Sequence, residues 1–171
     1  PAMMYGNGDQ NQLQLMVHDQ EDALFEEKER MRLTLQSIGD AVVCTDAQGR
    51  ITYINPVAQR MTGWQAFDAA DQHVDDVVPL YRTNGERVEP SPVRQTLQTS
   101  APCGPTRGVV LHRRDGHRYV VEETANPITD RHGQLSGTVM VLHDVTETMA
   151  LAERMARLAQ YDALTDLPNR V

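Results

Sequence analysis

Hydrophobic positions change their spacing twice along the chain, which separates two helical segments from a sheet-rich middle. Residues 10–38 contain neither Gly nor Pro. Their apolar residues fall on heptad positions, at Val17, Leu24, Met31, Leu35 and Ile38. This spacing predicts an N-terminal amphipathic helix that pairs with a second copy through Leu24, Met31 and Leu35. Because Glu21 and Lys28 occupy the same seam and weaken it, a solvated helix is the alternative.

The pattern then changes to short apolar runs separated by turn residues. Residues 41–45 and 51–54 are predicted strands, joined into a hairpin by the turn Asp46-Ala47-Gln48-Gly49. Asn55-Pro56 supplies an N-cap followed by Pro at the first helical position, and Gly63 is a typical helix end. The sequence therefore predicts a hairpin followed directly by a short helix.

The rest of the middle region predicts more strands and no long helix. Loosely helical stretches run through Val78-Pro79 and along residues 92–99, on either side of a charged loop at 81–89. Three stretches rich in Val, Thr and Tyr are predicted strands, at residues 107–113, 117–125 and 137–143. The last contains four consecutive apolar residues, which predicts burial on both faces. Strands without long intervening helices favour an antiparallel sheet and the α+β class.

After Asp144-Val145-Thr146 the pattern turns helical again, from residue 147 to 164. Its apolar seam is narrow, with Leu151, Met155 and Leu158 at its centre. A narrow seam is typical of two paired helices, and a helix folded back on its own domain is the alternative. We expect Thr146 to cap the first helical amides and Asp144 to place its charge near their positive end. Because both residues lie where the last strand meets the helix, Asp144 and Thr146 are predicted to relay a signal from the domain to the helix.

Composition narrows the class of protein. A chain of 171 residues suits one domain with appendages, and residues 1–9 are expected to be disordered or vector-derived. The net charge of −8 disfavours binding to nucleic acid or an anionic membrane. No apolar run approaches the length needed to span a bilayer, which predicts a cytoplasmic module; an upstream anchor stays open. Cys44 and Cys103 are far apart and are interpreted as packing residues.

Three motifs then identify a family resemblance. Gly49-Arg50-Ile51-Thr52-Tyr53-Ile54-Asn55-Pro56-Val57-Ala58 and Met61-Thr62-Gly63-Trp64, followed at the proper distance by Asp144-Val145-Thr146, strongly resemble a PAS domain. The resemblance covers residues 35–147 and places the domain at 39–146. It implies a five-stranded antiparallel sheet with short helices closing a cavity over one face, and dimers joined through the flanking helices.

The end of the chain carries a second resemblance. Asp162-Ala163-Leu164-Thr165-Asp166-Leu167-Pro168-Asn169-Arg170 is similar to the beginning of a GGDEF domain, although that family usually has Gly where Asp166 stands. Residues 165–171 would then start a diguanylate cyclase domain, joined in cis by the helix at 147–164. The resemblance implies a protein that synthesises or degrades cyclic di-GMP, sometimes with a further EAL domain.

The resemblance also selects candidate pocket residues. They are Trp64, His73, Val77, Leu97, Val109, Leu111, Val139 and Val141. Haem would need an axial His in the helical region, where only His73 lies, and its position before Asp75-Asp76 differs from that in haem-binding relatives. Trp64 could stack on a flavin ring, but a single Trp after a helix-ending Gly is more often a packing residue. The sequence contains no segment with the reactive cysteine of light-sensing PAS domains. The cofactor therefore stays unknown, and the scattered His residues predict no metal site.

Two adjacent carboxylates, Glu122 and Glu123, lie in a predicted strand and must point to opposite faces. The inward one either meets a polar ligand or belongs to an ordinary surface pair. No catalytic arrangement accompanies them, so these residues are not expected to form an enzyme. We interpret the chain as a dimeric sensor that relays the state of a small ligand to a downstream cyclase. The alternatives are a ligand-free structural relay and a haem or flavin sensor.

Overall fold

The computed structural model describes residues 6–37 and 39–160, which divide at Gly39 into two units. The first is one helix, α1 (Gly6–Ser37), which begins before the predicted boundary at residue 10. On α1, Leu24 and Met31 are 70% and 66% exposed, and the side chain of Leu35 lies outside the described part of the chain. The described apolar positions of the α1 seam are therefore available for pairing.

The second unit is built on an antiparallel sheet of six strands in the order β2-β1-β6-β5-β4-β3. The strands are β1 (Ala41–Asp46), β2 (Ile51–Ile54), β3 (Leu80–Tyr81), β4 (Cys103–His112), β5 (Arg118–Thr129) and β6 (Leu135–Asp144). The α+β class is confirmed, but the predicted count of five strands is wrong. The additional strand β3 has only two residues, paired at the sheet edge with β4. So short a strand shows no readable alternation.

Four short helices pack on one face of this sheet. They are α2 (Pro56–Thr62), α3 (Ala66–Ala69), α4 (Val74–Val77) and α5 (Pro92–Thr99). Their buried residues form one core with the inward side chains of the strands, including Ala58, Met61, Val74, Val77, Val93, Val43, Leu111, Val121, Met140 and Leu142. The last helix, α6 (Thr146–Gln160), follows β6 and has no buried residue along its length.

Side chains of β6 alternate between the two faces of the sheet. Thr138, Met140 and Leu142 are buried on the helix-covered face, while Val139 and Val141 are only partly buried. Because successive strand residues point in opposite directions, these two valines lie on the other face. This corrects the prediction of a last strand fully buried on both sides. It also removes Val139 and Val141 from any pocket that Val77 lines.

Strands β4 and β5 are longer than predicted, and β5 contains Pro127. Pairing between β4 and β5 ends at Cys103 and Ala125, so beyond Ala125 only β6 lies beside β5. A strand with one free side tolerates Pro, because the missing N–H is not needed on that side. The turn-rich stretch predicted from residue 127 therefore begins only after Thr129.

Asn55 joins the first hairpin to the helical layer and is completely buried. Its Oδ1 accepts hydrogen bonds from the Val42 amide at 3.0 Å and the Ala58 amide at 2.8 Å. Its Nδ2 donates to the carbonyl of Asp40 at 2.9 Å. The predicted N-cap is confirmed, and the same side chain also fixes the start of β1.

Replacing Asn55 should therefore cost more than the loss of an ordinary helix cap. Asn55→Ala leaves three backbone groups without this partner, at about 1–3 kcal/mol for each buried group. We expect the free energy of unfolding to fall by about 3 kcal/mol or more, measured by urea denaturation. The control is Ser91→Ala, since Ser91 caps only the Arg94 amide of α5. It should cost about 1 kcal/mol, and equal losses for the two variants would contradict this role of Asn55.

Candidate functional site

Five of the predicted pocket residues lie together on the helix-covered face. Val77 and Leu111 are fully buried in the core, and Val109 is nearly so. Trp64 and Leu97 are partly buried and pack against the same core. This face contains the apolar part of any site that the helices enclose.

His73 has a structural position at the start of α4. Its Nδ1 accepts the Asp75 amide at 3.3 Å as the helix N-cap. The same ring lies so close to Gly49 that a Cβ built there would be 3.0 Å from Nε2. Asp75 in turn accepts from Arg94 at 2.9 Å, which joins α4 to α5. The imidazole therefore holds helix and hairpin together and is not directed into the core.

Glu123 is the unusual group on this face. It lies in β5 between Val121 and Ala125, with its side chain in the core and none of its surface exposed. Neither carboxylate oxygen has a hydrogen-bond partner among the described residues. Burial raises the pKa of Glu123 to about 7, and the neighbouring Thr106 hydroxyl lowers this pKa by a smaller amount. The carboxyl group is therefore balanced between its neutral and ionised forms near neutral pH.

Six other polar residues in the described part of the chain are buried as whole residues, and each has a side-chain partner. Thr45 and Thr138 bond to each other at 2.8 Å, and Thr62 and Thr96 donate to backbone carbonyls. Asn55 has three bonds and Asp75 has its ion pair with Arg94. A buried polar group without a partner is costly, so Glu123 needs an explanation that these residues do not.

The strand opposite Glu123 is irregular. Thr106 of β4 is the register partner of Glu123, and the β4–β5 pairing shifts on both sides of it. Such bulges redirect side chains and are common beside functional sites. Thr106 also lines a groove of about 390 Å³, together with Val88, Val109, Gly108, Arg82, Thr83 and Arg107. Thr106 thus stands between the buried carboxylate and a groove on the molecular surface.

The junction between sheet and exit helix is formed by Asp144 and Thr146. An Asp144 carboxylate oxygen accepts from the Thr146 amide at 3.0 Å and from its hydroxyl at 2.6 Å. The Thr146 hydroxyl oxygen accepts from the Val120 amide of β5 at 2.9 Å, and the Val145 amide donates to the Val120 carbonyl. The Asp144 carboxylate therefore lies at the first amide of α6, while the Thr146 hydroxyl, which was predicted to cap the helix, ties the start of α6 to β5.

A further contact lies beside this junction. His143 at the end of β6 pairs with Asp40 just before β1, with Nδ1 and Oδ1 2.5 Å apart. The hydrogen bond and charge of Asp40 raise the pKa of His143, assisted by Glu122 and Asp144 and opposed by slight burial. The imidazolium form thus strengthens the link between the first strand and the last.

Residues 6–37 and 39–160 contain neither a metal-binding cluster nor a helix that could span a membrane. No three His, Cys, Asp or Glu side chains there come close enough together to hold a metal ion. No helix in those ranges combines the length and apolar character needed to cross a membrane.

Comparison with known proteins agrees with this geometry. A family model described as the PAS fold matches residues 29–145, well over half of the chain. The chain belongs to the PAS family. A solved PAS domain from Colwellia psychrerythraea superimposes with a TM-score of 0.54 over 72% of this chain and 98% of that one, at 21% identity. At that identity the likeness concerns the fold alone.

Two curated relatives are signalling proteins of one kind. The PAS chain is 38% identical over 150 residues to the probable diguanylate cyclase DgcE of Escherichia coli, covering 87% of this chain and 13% of that protein. It is 23% identical over 179 residues to the cyclic di-GMP phosphodiesterase PdeB of Shewanella oneidensis, covering 99% and 19%. The chain therefore spans less than a fifth of the length of either relative.

The sequence shows the Glu122-Glu123 pair but does not decide which carboxylate points inward. The deciding pattern is Val121, Glu123 and Ala125 at alternate positions, all buried. Val120 is also apolar, so the sequence alone fits either face. Thr106 was missed, because its contact with Glu123 depends on strand pairing and irregularities that no local pattern shows.

Glu123 should make stability depend on pH in a definite direction. In the unfolded chain its carboxyl ionises near the ordinary pKa of 4.5, and in the fold near 7. Between these values the folded state binds more protons, so stability falls as pH rises through this range and is lowest above 7. The total is about 3 kcal/mol for this group. Glu123→Gln should therefore lose much less stability than wild type between pH 5 and 8.

The measurement is urea denaturation of both proteins across that pH range. Glu122→Gln is the matched control, because Glu122 is the neighbouring carboxylate on the other face, paired with Arg107 at 3.2 Å. It should keep nearly all of the pH dependence of the wild type, because Glu122 contributes less than Asp40 to the raised pKa of His143. An unchanged pH dependence in Glu123→Gln would show that Glu123 does not titrate in this range.

Proposed function

We propose that this PAS domain is the sensor and dimerisation module of a cyclic di-GMP signalling protein. In this proposal a small ligand binds on the helix-covered face, and its presence is relayed through α6 to a diguanylate cyclase domain in cis. The similarity to DgcE and PdeB supports the signalling context. The residues that resemble a GGDEF domain lie outside the described part of the chain. A cytoplasmic position is part of the same proposal.

The observation that carries the proposal is the contact of α6 with β5. The Thr146 hydroxyl and the Val145 amide both bond to Val120. Val120 lies three residues before Glu123 on the same strand, so one strand contacts both the core and the exit helix. A shift of β5 on ligand binding would change the contacts that orient α6, and two packed arrangements of such a junction suffice for a switch.

The junction is tested by removing single contacts in the full-length protein. Thr146→Val keeps the shape of the side chain but loses the hydroxyl, whereas Thr146→Ser keeps the hydroxyl. Each lost contact is worth about 1 kcal/mol, which is small beside the stability of a domain. A coupling energy is itself about 1–3 kcal/mol, so regulation should change by about 5-fold or more.

The readouts are the melting temperature and cyclic di-GMP output, measured for the same variants, with Asp144→Ala as a second variant of the junction. We expect Thr146→Val and Asp144→Ala to fold and to alter output, while Thr146→Ser behaves as wild type. Normal regulation in both Thr146→Val and Asp144→Ala would place the relay elsewhere. Outright unfolding of both would make the two residues part of the core.

The exit helix supports the dimeric part of the proposal. Leu151, Met155 and Leu158 lie on one side of α6 and are 54%, 63% and 68% exposed. An apolar seam with so little cover fits a parallel homodimer through α6, α1 or both. Leu151→Asp/Leu158→Asp should dissociate such a dimer, because charge in an apolar seam costs several kcal/mol.

Sedimentation of the wild type at tens of micromolar is the measurement for the seam. Gln160→Asp is the control, since it introduces a charge on the opposite side of the same helix. It should remain dimeric. A monomeric wild type at that concentration would remove the pairing argument.

A second candidate is a ligand-free relay that only sets dimer geometry. The close burial of Val77, Leu111, Met140 and Leu142 favours it, since these side chains fill the face that a ligand would occupy. The two candidates differ at Glu123, because a structural relay gains nothing from a buried carboxylate without a partner. A haem sensor is not proposed, because His73 caps α4 and packs against the hairpin.

A further inference from the structure

We propose that Glu123 is the recognition group for a small zwitterionic amine of the amino-acid type. The ligand would enter from the groove along β4, with its ammonium group on Glu123. This inference rests on the proposed sensor function and adds the chemical class of the ligand.

The first step is the state of the carboxylate. Glu123 is fully buried, and both of its oxygens lack a hydrogen-bond partner among the described residues. An ionised carboxylate only accepts hydrogen bonds and is costly to bury alone. A ligand that brings N–H donors and a positive charge would remove that cost, and a protonated amine brings both. An anion or a purely apolar ligand would leave the carboxylate as it is.

The second step is access. Thr106 lies opposite Glu123 in the β4–β5 register, and irregular pairing on both sides of it loosens the strand at this point. Thr106 also lines the groove of about 390 Å³, whose inner walls include Val88 and Val109. That volume is within the range of about 300–1,000 Å³ found for small-molecule sites. Glu123 itself does not line the groove, so the proposed route passes Thr106, which lines the groove and is the register partner of Glu123.

The surroundings of the carboxylate allow this route. Cys103, at the start of β4, lies near enough that the charge of Glu123 adds to burial in raising the pKa of its thiol. Its Sγ donates to Gln95 of α5 at 3.0 Å, so α5 and the start of β4 meet beside the buried acid. On β5 and β6, the inward neighbours of Glu123 are apolar, namely Val121, Ala125, Met140 and Leu142. Its polar neighbours Thr106 and Cys103 both lie on β4.

The third step is the charge at the groove. Arg82 and Arg107 line it, and Arg107 already pairs with Glu122 at 3.2 Å on its outer side. Because Glu122 already neutralises Arg107, Arg82 is the guanidinium group that would disfavour a simple cation and hold a carboxylate. A molecule with an amine at one end and a carboxylate at the other would pair with Glu123 inside and with Arg82 outside. This arrangement selects a zwitterion over a plain amine.

The experiment is calorimetric titration of the wild-type chain with the standard amino acids and γ-aminobutyrate at millimolar concentration. Each zwitterion that binds is compared with the carboxylic acid lacking its amine and the alkylamine lacking its carboxylate. We expect at least one zwitterion to bind, with both half-molecules at least tenfold weaker. Glu123→Gln should abolish the binding, Arg82→Gln should weaken it, and Glu122→Gln should leave it unchanged.

A second readout does not depend on a variant. Carbon-13 NMR of the Glu123 carboxyl should show it ionised in the complex at a pH where the free protein holds it partly protonated. The proposal is overturned if no zwitterion binds, if Glu123→Gln binds equally well, or if the amine-free acid binds as tightly.

These outcomes separate the ligand from the relay. If no amino acid binds while Thr146→Val still alters cyclic di-GMP output, the ligand class is wrong and the sensor function stands. If a zwitterion binds through Glu123 but output never responds to it, the recognition site stands and the proposed relay fails.

Discussion

The helices that cover one face of the sheet are too short to be stable without the sheet, and the rest of the domain depends on this packing. Helices α3 and α4 have four residues each, whereas isolated helices below about 12–15 residues are marginal in water. They are held by burial of Ala69, Val74 and Val77, and α4 also by its His73 cap. A layer held by tertiary contacts alone opens at lower cost than the sheet beneath it. The helical layer is therefore the part of the domain that opens most easily.

The buried carboxylate is informative because the surrounding polar groups are so well satisfied. Thr45 and Thr138 sit opposite each other on the same face and bond at 2.8 Å, which shows how this fold normally places a polar side chain inside. Glu123 departs from that rule, and its pKa is raised because its carboxyl group is buried. Natural sequences break such local rules mainly where function requires it. This departure is the basis of the proposed role of Glu123 in ligand recognition.

The parts that could be predicted from sequence are those governed by neighbours in the chain. Asn55-Pro56 and Gly63 define α2 because capping and the left-handed end, at φ of 78°, depend on a few adjacent residues. The hairpin before it follows from the turn at 46–49 in the same way.

The parts that could not be predicted depend on distant pairing. Four apolar residues in a row in β6 suggested burial on both sides, yet only Met140 and Leu142 face the helices. Thr146 was expected to cap its own helix, and its hydroxyl instead reaches Val120, 26 residues away. The orientation of Glu123 needed the register of β5 against β4 and β6.

Strand periodicity makes the spacing between Val120 and Glu123 a tightly restricted part of the chain. Inserting or deleting one residue between them would turn every following side chain of β5 to the opposite face. Glu123 would point outward, Glu122 or a neighbour would turn inward, and the strand would keep its contact with Thr146 while losing the one with the core. The exposed turn at 130–134 carries no such restriction, so variation in length among related domains should accumulate there and be excluded from residues 120–123.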